Sequence, residues 1–514
     1  MKVLVTGGTG VIGRAIMGVL LDEHHTIRLL SRNPEDDGQQ WAGRVEFWPA
    51  SLSDPGTLRG CAEGCDIVLH VAGIMEESPP DLTYETINVD GTRLVMREAE
   101  RCKVGRFIYI SSLGAEAGSS PYHRSKRRAE EIVRGFAGGW TILRPGNVYG
   151  PGDDVTSRML TLVRTLPVVP IIGSGDDPYQ PIWVEDLAAA IIEAVRRTDL
   201  HGRVLELAGE EKTTLNELID KLAEITGRSP ARIPIPSLFA SAGISMAGLL
   251  GVKLPVTESQ VTMLKEGNVI STPGANALTA VFRIKPTPLD SGLRKLADSM
   301  PEQTPAEGVG ALKRKRFWVD IAGARFSPEE LFARFRVRFG ELTPLTMNVR
   351  AEPGTPTMLE RGSTITMALP VRGNVQVRVE RLTANEAVLV TVAGHPLAGA
   401  IRFLSEQIGD LVRFQVQLYD RPATLADWVM MRAVGESVQA GSWEGLLEAI
   451  VAESGGAAVS PIQHEEENLD ERQAELVETW VKELIVEKAR AAEPASRHSE
   501  GFPVTPQTDQ ASFS

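Results

Sequence analysis

The chain of 514 residues is 42% hydrophobic and 24% charged, with 67 acidic against 54 basic residues and a formal net charge of −13. That length exceeds what one hydrophobic core serves, so at least two folding units are expected. The acidic balance disfavours a nucleic-acid partner, and three cysteines, Cys61, Cys65 and Cys102, form neither a disulfide framework nor a zinc pattern.

The first element is a short buried strand, Val3, Leu4 and Val5, ending in Thr6-Gly7-Gly8-Thr9-Gly10. A periodic stretch from Ile12 through Ile16, Val19 and Leu20 then predicts a helix with one apolar stripe. Gly7, Gly10 and Gly13 accept tight-turn dihedrals, admit a phosphate close to the backbone and let the helix pack on its strand. A pyrophosphate at that helix N-terminus meets unpaired N–H groups and the positive end of the helix dipole. Gly7, Thr9, Gly10, Val11, Ile12 and Gly13 are therefore the expected cofactor cradle. The second strand, 26–30, ends in Ser31-Arg32-Asn33-Pro34. An acidic residue there accepts hydrogen bonds from a free ribose 2′-hydroxyl, whereas an Arg pairs with a 2′-phosphate. Arg32 thus tilts the expected cofactor toward NADP, with NAD as the alternative.

Strand-like segments recur at 45–48, 66–71, 106–111 and 140–144 with helical patterns between them, which predicts an α/β fold built on a doubly wound parallel sheet. Sites in such sheets lie beyond the strand C-termini, here at Ala72-Gly73, Ser111-Ser112 and Pro145-Gly146. After Pro121, residues Tyr122, Lys126, Ala129, Val133 and Phe136 share one helical face. An ammonium beside a phenol favours the phenolate. Tyr122 is the candidate to exchange a proton with a substrate hydroxyl or carbonyl while a nicotinamide exchanges hydride. Lys126 is expected to lower the Tyr122 pKa and hydrogen-bond the cofactor ribose, and Ser112 to hold the reacting oxygen.

Seven pieces together resemble the extended and atypical branch of the short-chain dehydrogenase/reductase superfamily: GGTGVIG at 7–13, HVAG at 70–73, NVDGT at 88–92, FIYISS at 107–112, YHRSK at 122–126, LRPGNVYGPGD at 143–153 and PIWVEDLAAAI at 181–191. The resemblance implies a Rossmann fold, catalytic roles for Ser112, Tyr122 and Lys126, and a relay or backbone-supporting role for Asn88. It also implies nicotinamide-side contacts at Pro145 and Val148, and adds Leu52, Ala72 and Gly73 to the cofactor set. Two departures stand out. Ala50-Ser51 occupy the places before Leu52 where the family often has Gly-Asp, and Leu113-Gly114 follow Ser112 where sugar-dehydrating relatives carry Asp-Glu. PVTESQVTMLKEGNV at 255–269 is most similar to the branch related to the accessory NAD(P)H-binding subunit of respiratory complex I. That likeness sets a non-catalytic assembly or redox-sensing module against catalysis, and an epimerase using transient oxidation shares the same core.

The substrate lobe is expected at 150–180 and 210–300, interrupted by a returning strand at 204–207. Asp153 and Asp154 are substrate ligands or simply part of a Pro-Gly-Asp-Asp turn. The apolar stretch 233–254 is interrupted by Pro and Gly, which excludes a spanning helix. Lining a hydrophobic pocket and interlobe packing are its two main uses, with weak peripheral membrane contact a third. The expected substrate is a small apolar molecule.

Residues 1–298 thus form the cofactor-binding unit with its substrate lobe, and 299–312, rich in Pro, Gly and Glu, a linker. A second unit, 313–455, is α+β: FWVDIAG predicts a strand, SPEELFARFRVRF a helix with Ser327 as cap and Pro328 in its first turn, and several alternating segments further strands. A last helix over 426–451 carries Trp428, Met430, Met431, Val434 and Trp443. AGHPLAGAIRF at 393–403 and VQLYDRPATLADW at 416–428 resemble the helix-grip, START-like superfamily, which implies an apolar ligand and no catalytic residues. The basic run 313–316 is too small for a nucleic-acid surface. A helix over 462–492 is expected to cover a neighbouring surface or pair with a second chain, in a homo-oligomer or larger complex, and 494–514 to be disordered. With no signal peptide, spanning segment or metal-ligand cluster in evidence, a cytoplasmic protein is expected. The leading expectation is an NADP-preferring oxidoreductase acting on a carbonyl or alcohol.

Overall fold

The computed structural model describes residues 1–235, 266, 268–270, 275–344, 347–349, 351–369, 373–430 and 436–492. The apolar stretch 233–254 beyond its first three residues, most of 255–269, and the expected tail 494–514 lie outside them.

The N-terminal sheet is wholly parallel. It contains β1 (Lys2–Thr6), β2 (Thr26–Ser31), β3 (Glu46–Pro49), β4 (Ile67–His70), β5 (Arg106–Ile110), β6 (Gly139–Pro145) and the strand Arg203–Leu207, with α1 (Val11–Asp22) joining β1 to β2. Its order is Arg203–Leu207, β6, β5, β4, β1, β2, β3. Both faces are covered, as a parallel sheet requires: Val3 and Val5 join one apolar cluster with Ile16 and Leu20 of α1, and Leu4 joins another with Val95 and Ala129. Strand order reverses at β1, which lies between β2 and β4. That switch point opens a crevice at the strand C-termini. Beneath it, the buried His70 links Thr6 Oγ1 at 2.7 Å to Thr92 Oγ1 at 3.0 Å. Burial, aided by the Lys126 charge, holds its pKa at about 3, so it is a neutral structural group.

The C-terminal sheet is antiparallel, in the order Thr364–Leu369, Gly373–Leu382, Glu386–Thr391, Leu397–Ile408, Leu411–Pro422, Lys313–Ala322. Successive residues point to opposite faces. Ala387, Leu389 and Ile401 meet the helices Pro328–Val337 and Glu436–Ser454 through Phe332, Phe335 and Trp443. Val388, Val390 and Ala400 meet Val481 and Leu484 of the terminal helix Glu471–Ala492. One sheet is thus buried from both sides.

Several expectations change here. The segment 462–492 is not one helix: Gln463–Asn468 is a strand paired antiparallel with Lys313–Ala322. Its glutamates face the basic run, giving Lys313–Glu466 at 2.6 Å, Arg314–Glu467 at 2.7 Å and Arg316–Glu465 at 3.3 Å. Cross-strand opposite charges explain both runs without any nucleic acid. Within the span 426–451 the described residues are helical at Leu425–Met430 and Glu436–Ser454, and Met431 and Val434 lie outside the described residues. Trp443 is in the core, whereas Trp428 is 37% exposed.

The segment 299–312 is packed rather than free. Gln303 N–H donates to Thr391 O at 2.6 Å and Val309 N–H to Pro422 O at 2.7 Å, while Met300 and Leu312 are buried. One buried ionic cluster then joins the halves, and a second fastens the segment 299–312 to the C-terminal unit. On the helix Thr156–Thr165, Arg164 donates to Glu352 at 3.0 and 3.1 Å and to Gln376 at 2.8 Å. Glu302 accepts from Arg378 at 2.5 Å and pairs with Lys488 of the terminal helix, which also reaches Glu380 at 2.8 Å. Among the described residues, no helix is long and apolar enough to cross a membrane.

Candidate functional site

A cleft of about 690 Å³ runs across the C-terminal ends of β1, β2, β4 and β5. Gly7, Thr9, Gly10, Val11, Ile12 and Gly13 line it from the turn after β1, Arg32 from the end of β2, Leu52 from beyond β3, and Ala72 and Gly73 from beyond β4. Ser112, Tyr122, Lys126, Pro145 and Val148 line its other end. All the residues expected from sequence therefore share one cavity.

The turn fits a phosphate. Gly7 has φ +70°, and a Cβ there would lie 2.6 Å from Ala72 N; a Cβ on Gly13 would lie 2.2 Å from Gly7 O. No side chain caps α1 at Gly10. Its first N–H groups are left for an anion, with the helix dipole behind them.

The helix Pro121–Arg134 starts because Ser120 caps it, accepting from His123 N–H at 3.2 Å, with Pro121 in its first turn. It presents Tyr122, 8% exposed, and Lys126, 4% exposed. Burial pushes the Tyr122 phenol up to about 12; the nearby Ser112 hydroxyl pulls the other way, and Tyr84 adds to the rise. Burial pulls Lys126 down to about 8, with Glu130 opposing. Lys126 Nζ donates to Ile110 O at 2.9 Å and lies 5.0 Å from the Tyr109 ring centroid. Lys126 thus directs its ammonium at the end of β5, while the nearby Ser112 hydroxyl draws the Tyr122 pKa down.

The surrounding polar groups are structural. Asn88 Oδ1 accepts from Ile74 N–H at 2.8 Å, while its Nδ2 donates to Ile74 O at 3.1 Å and Ser125 Oγ at 3.0 Å, which fixes the backbone beyond Gly73. Glu130, fully buried, accepts from Ser111 Oγ at 2.6 Å and from Arg144 Nε at 2.8 Å, tying helix, β5 and β6 together. Asp153 lines the cleft but accepts from Val155 N–H at 2.9 Å, Thr156 N–H at 2.6 Å and Ser157 Oγ at 2.7 Å. It caps the following helix, and Asp154 pairs with Arg158 at 2.6 Å. The turn reading accounts for both aspartates.

Two cleft residues were missed from sequence. Asp37, at the end of the short helix Pro34–Asp37, accepts from Ser31 Oγ at 3.3 Å and shares the cleft wall with Arg32. The acidic run after Pro34 was its only signal, and it lay past the strand end where an acid was sought. The second is His123, adjacent to Tyr122 and marked by no motif of its own.

Comparison with known proteins places these features in a family. Residues 3–208 match the NAD dependent epimerase/dehydratase family. The chain is 33% identical over 250 residues to ceramide reductase of Caulobacter vibrioides, covering 48% of this chain and 76% of that protein. It is 26% identical over 278 residues to NADH dehydrogenase (ubiquinone) 1 alpha subcomplex subunit 9, mitochondrial, of Arabidopsis thaliana, covering 52% of this chain and 69% of that one. Among solved structures, MoeE5 in complex with UDP-glucose and NAD aligns with a TM-score of 0.46 and 22% identity over 58% of this chain and 97% of its own.

The expected NADP preference is corrected by the same comparison: solved structures of this kind hold NAD, including MoeE5 and 4-epimerases of Bacillus cereus and Thermus thermophilus. Asp37 lines the same cleft wall as Arg32 and is a carboxylate of the kind that would accept from a 2′-hydroxyl and repel a 2′-phosphate. The substrates named in those complexes are polar UDP-sugars, in contrast to the apolar molecule expected from sequence.

Proposed function

The chain belongs to the NAD dependent epimerase/dehydratase family, and from that premise we propose that it uses NAD to transfer hydride at a secondary alcohol or its ketone. The observation that carries this reading is Tyr122 and Ser112 brought together at the end of the glycine-lined cleft, with Lys126 one helical turn on. NAD, when bound, supplies the hydride acceptor or donor. The turn around Gly7, Gly10 and Gly13 admits its phosphates, Asp37 its adenosine ribose, and Pro145 and Val148 flank the nicotinamide side. Ser112 holds the substrate oxygen, and Tyr122 Oη takes the hydroxyl proton during oxidation or returns it during reduction. Lys126, which also lines the cleft, would hold the second ribose.

Two substrate classes have separate support. The family match favours an epimerase that oxidises a sugar-nucleotide alcohol and re-reduces it on the other face. The ceramide reductase relative favours net reduction of a ketone beside an acyl chain. For the second unit, the sheet wrapped on Glu436–Ser454 supports a helix-grip-like domain. Its interior is filled by Phe332, Phe335, Phe339, Phe403, Phe414 and Trp443, so we assign it a scaffolding role for the substrate lobe.

The test is nicotinamide absorbance with UDP-glucose and with an N-acyl-3-ketosphinganine. Redox-neutral conversion of the sugar supports the epimerase, and stoichiometric NADH consumption with the ketone supports the reductase. Tyr122→Phe should lower kcat by roughly 10²–10⁴ while NAD binding is retained. Full turnover in Tyr122→Phe removes its proton role. Tight NAD binding with no hydride transfer to any carbonyl would instead favour an assembly module like the complex I subunit.

A further inference from the structure

His123 follows Tyr122 on the same helix and is 1% exposed. Its Nδ1 is hydrogen-bonded to Oε2 of Glu266. The other oxygen of Glu266 accepts from Ser119 N–H at 2.7 Å, Ser119 Oγ at 2.7 Å and Ser120 N–H at 2.5 Å. Burial pushes that carboxyl up, but the hydrogen bonds from His123, Ser119 and Ser120 outweigh it and hold it at about 2. A carboxylate accepts only, so the hydrogen on the imidazole resides at Nδ1 and the neutral ring carries a bare lone pair at Nε2. Burial also lowers the His123 pKa, with Glu266 opposing, which keeps the ring neutral.

Nε2 is buried and has no hydrogen-bond partner. The ring lines the cleft beside Tyr122, with centroids 5.3 Å apart. Two glycines make room for it: a Cβ on Gly114 would lie 2.5 Å from Nε2, and one on Gly118 would lie 2.4 Å from Nδ1. A carboxylate anchored by three donors, two missing side chains and an unpaired acceptor thus meet next to the reacting end of the cleft. A buried acceptor without a donor is costly, and a ligand that supplies the donor removes that cost.

We propose that His123 Nε2, aligned by Glu266, contacts the substrate by accepting a hydrogen bond from an O–H or N–H on the atom vicinal to the reacting carbon, and selects substrates that carry one. This rests on the hydride-transfer reading of the cleft. Glu266 is a positioning residue. A sugar diol and an N-acyl amino ketone both carry such a donor, so one rule spans both substrate classes and rejects plain alcohols and ketones.

The full chain, labelled with [¹⁵N]histidine and loaded with NAD, is titrated with trans-1,2-cyclohexanediol and with cyclohexanol as probes. The His123 signals are identified by their loss in His123→Gln. The diol should move the Nε2 resonance and cyclohexanol should not, and Glu266→Gln should weaken the response. A resonance unmoved by the diol overturns the proposal, whether or not either probe is oxidised. Where both are oxidised, wild type should prefer the diol in kcat/KM by roughly ten- to a hundredfold, and His123→Leu should level the two. A preference that survives in His123→Leu also overturns it. Tyr122→Phe separates the readings: turnover retained there defeats the proton role of Tyr122, while the Nε2 response is judged independently.

Discussion

Lys126 ties the chemistry to pH. Its pKa of about 8 lies below the ordinary lysine value because the ammonium is buried. The native chain therefore binds fewer protons there than the unfolded one between about 8 and 10.5, so this residue's contribution to stability rises with pH across that window. On the proposed ribose-holding role of Lys126, activity runs the other way, because the ammonium loses its charge. We expect kcat/KM to fall roughly tenfold per unit above pH 8, and Lys126→Arg to move that limb upward. A pH–rate profile of both proteins checks it; an unshifted limb in Lys126→Arg would assign the titration to another group.

At the scale of elements, the helix Thr156–Thr165 is held to the second unit by Arg164 against Glu352, side chains only 5% and 3% exposed. Removing one partner of such a buried pair strands the other charge. Arg164→Met should cost about 3–5 kcal/mol, and the double variant with Glu352→Met should recover much of it. Denaturant unfolding of the four proteins measures this. Nothing in the sequence announced the pair, since the two residues belong to different folding units. The sheet strands, α1 and the Tyr122–Lys126 helix were legible because each combines an apolar period with a cap or a glycine turn within a few residues. Gln463–Asn468 was not legible: a strand of exposed glutamates has no hydrophobic alternation, and only the opposing Lys313–Arg316 run explains it. Asp37 and Glu266 were hidden for the same reason: Asp37 lines the cleft and Glu266 touches His123 of its wall, each from a segment whose own pattern says nothing about it.

Across the whole molecule, Glu302, Glu380 and Lys488 join the segment after residue 298, the C-terminal sheet and the terminal helix. Burial, then the Glu302 charge, pushes Glu380 up to about 7, while Lys488 opposes. The native state thus binds more protons at this position than the unfolded chain from about 4.5 to 7, and its contribution to stability falls as pH rises through that range. Glu380→Gln should remove that dependence. Thermal melting at pH 5 and pH 8 should show the variant gaining on wild type by a few degrees at the higher pH. Parallel melting curves would mean that Lys488 fully neutralises the pair.

The terminal helix does more than cover a sheet. It also packs on the turn Gln39–Trp41, and Lys482 reaches Asp36 at 3.4 Å, beside the wall of the cofactor cleft that Arg32 and Asp37 form. During translation, that wall leaves the ribosome early while its outer support is made long afterwards. A C-terminally clipped chain therefore keeps the glycine turn but loses the buttress on the wall that Arg32 and Asp37 form.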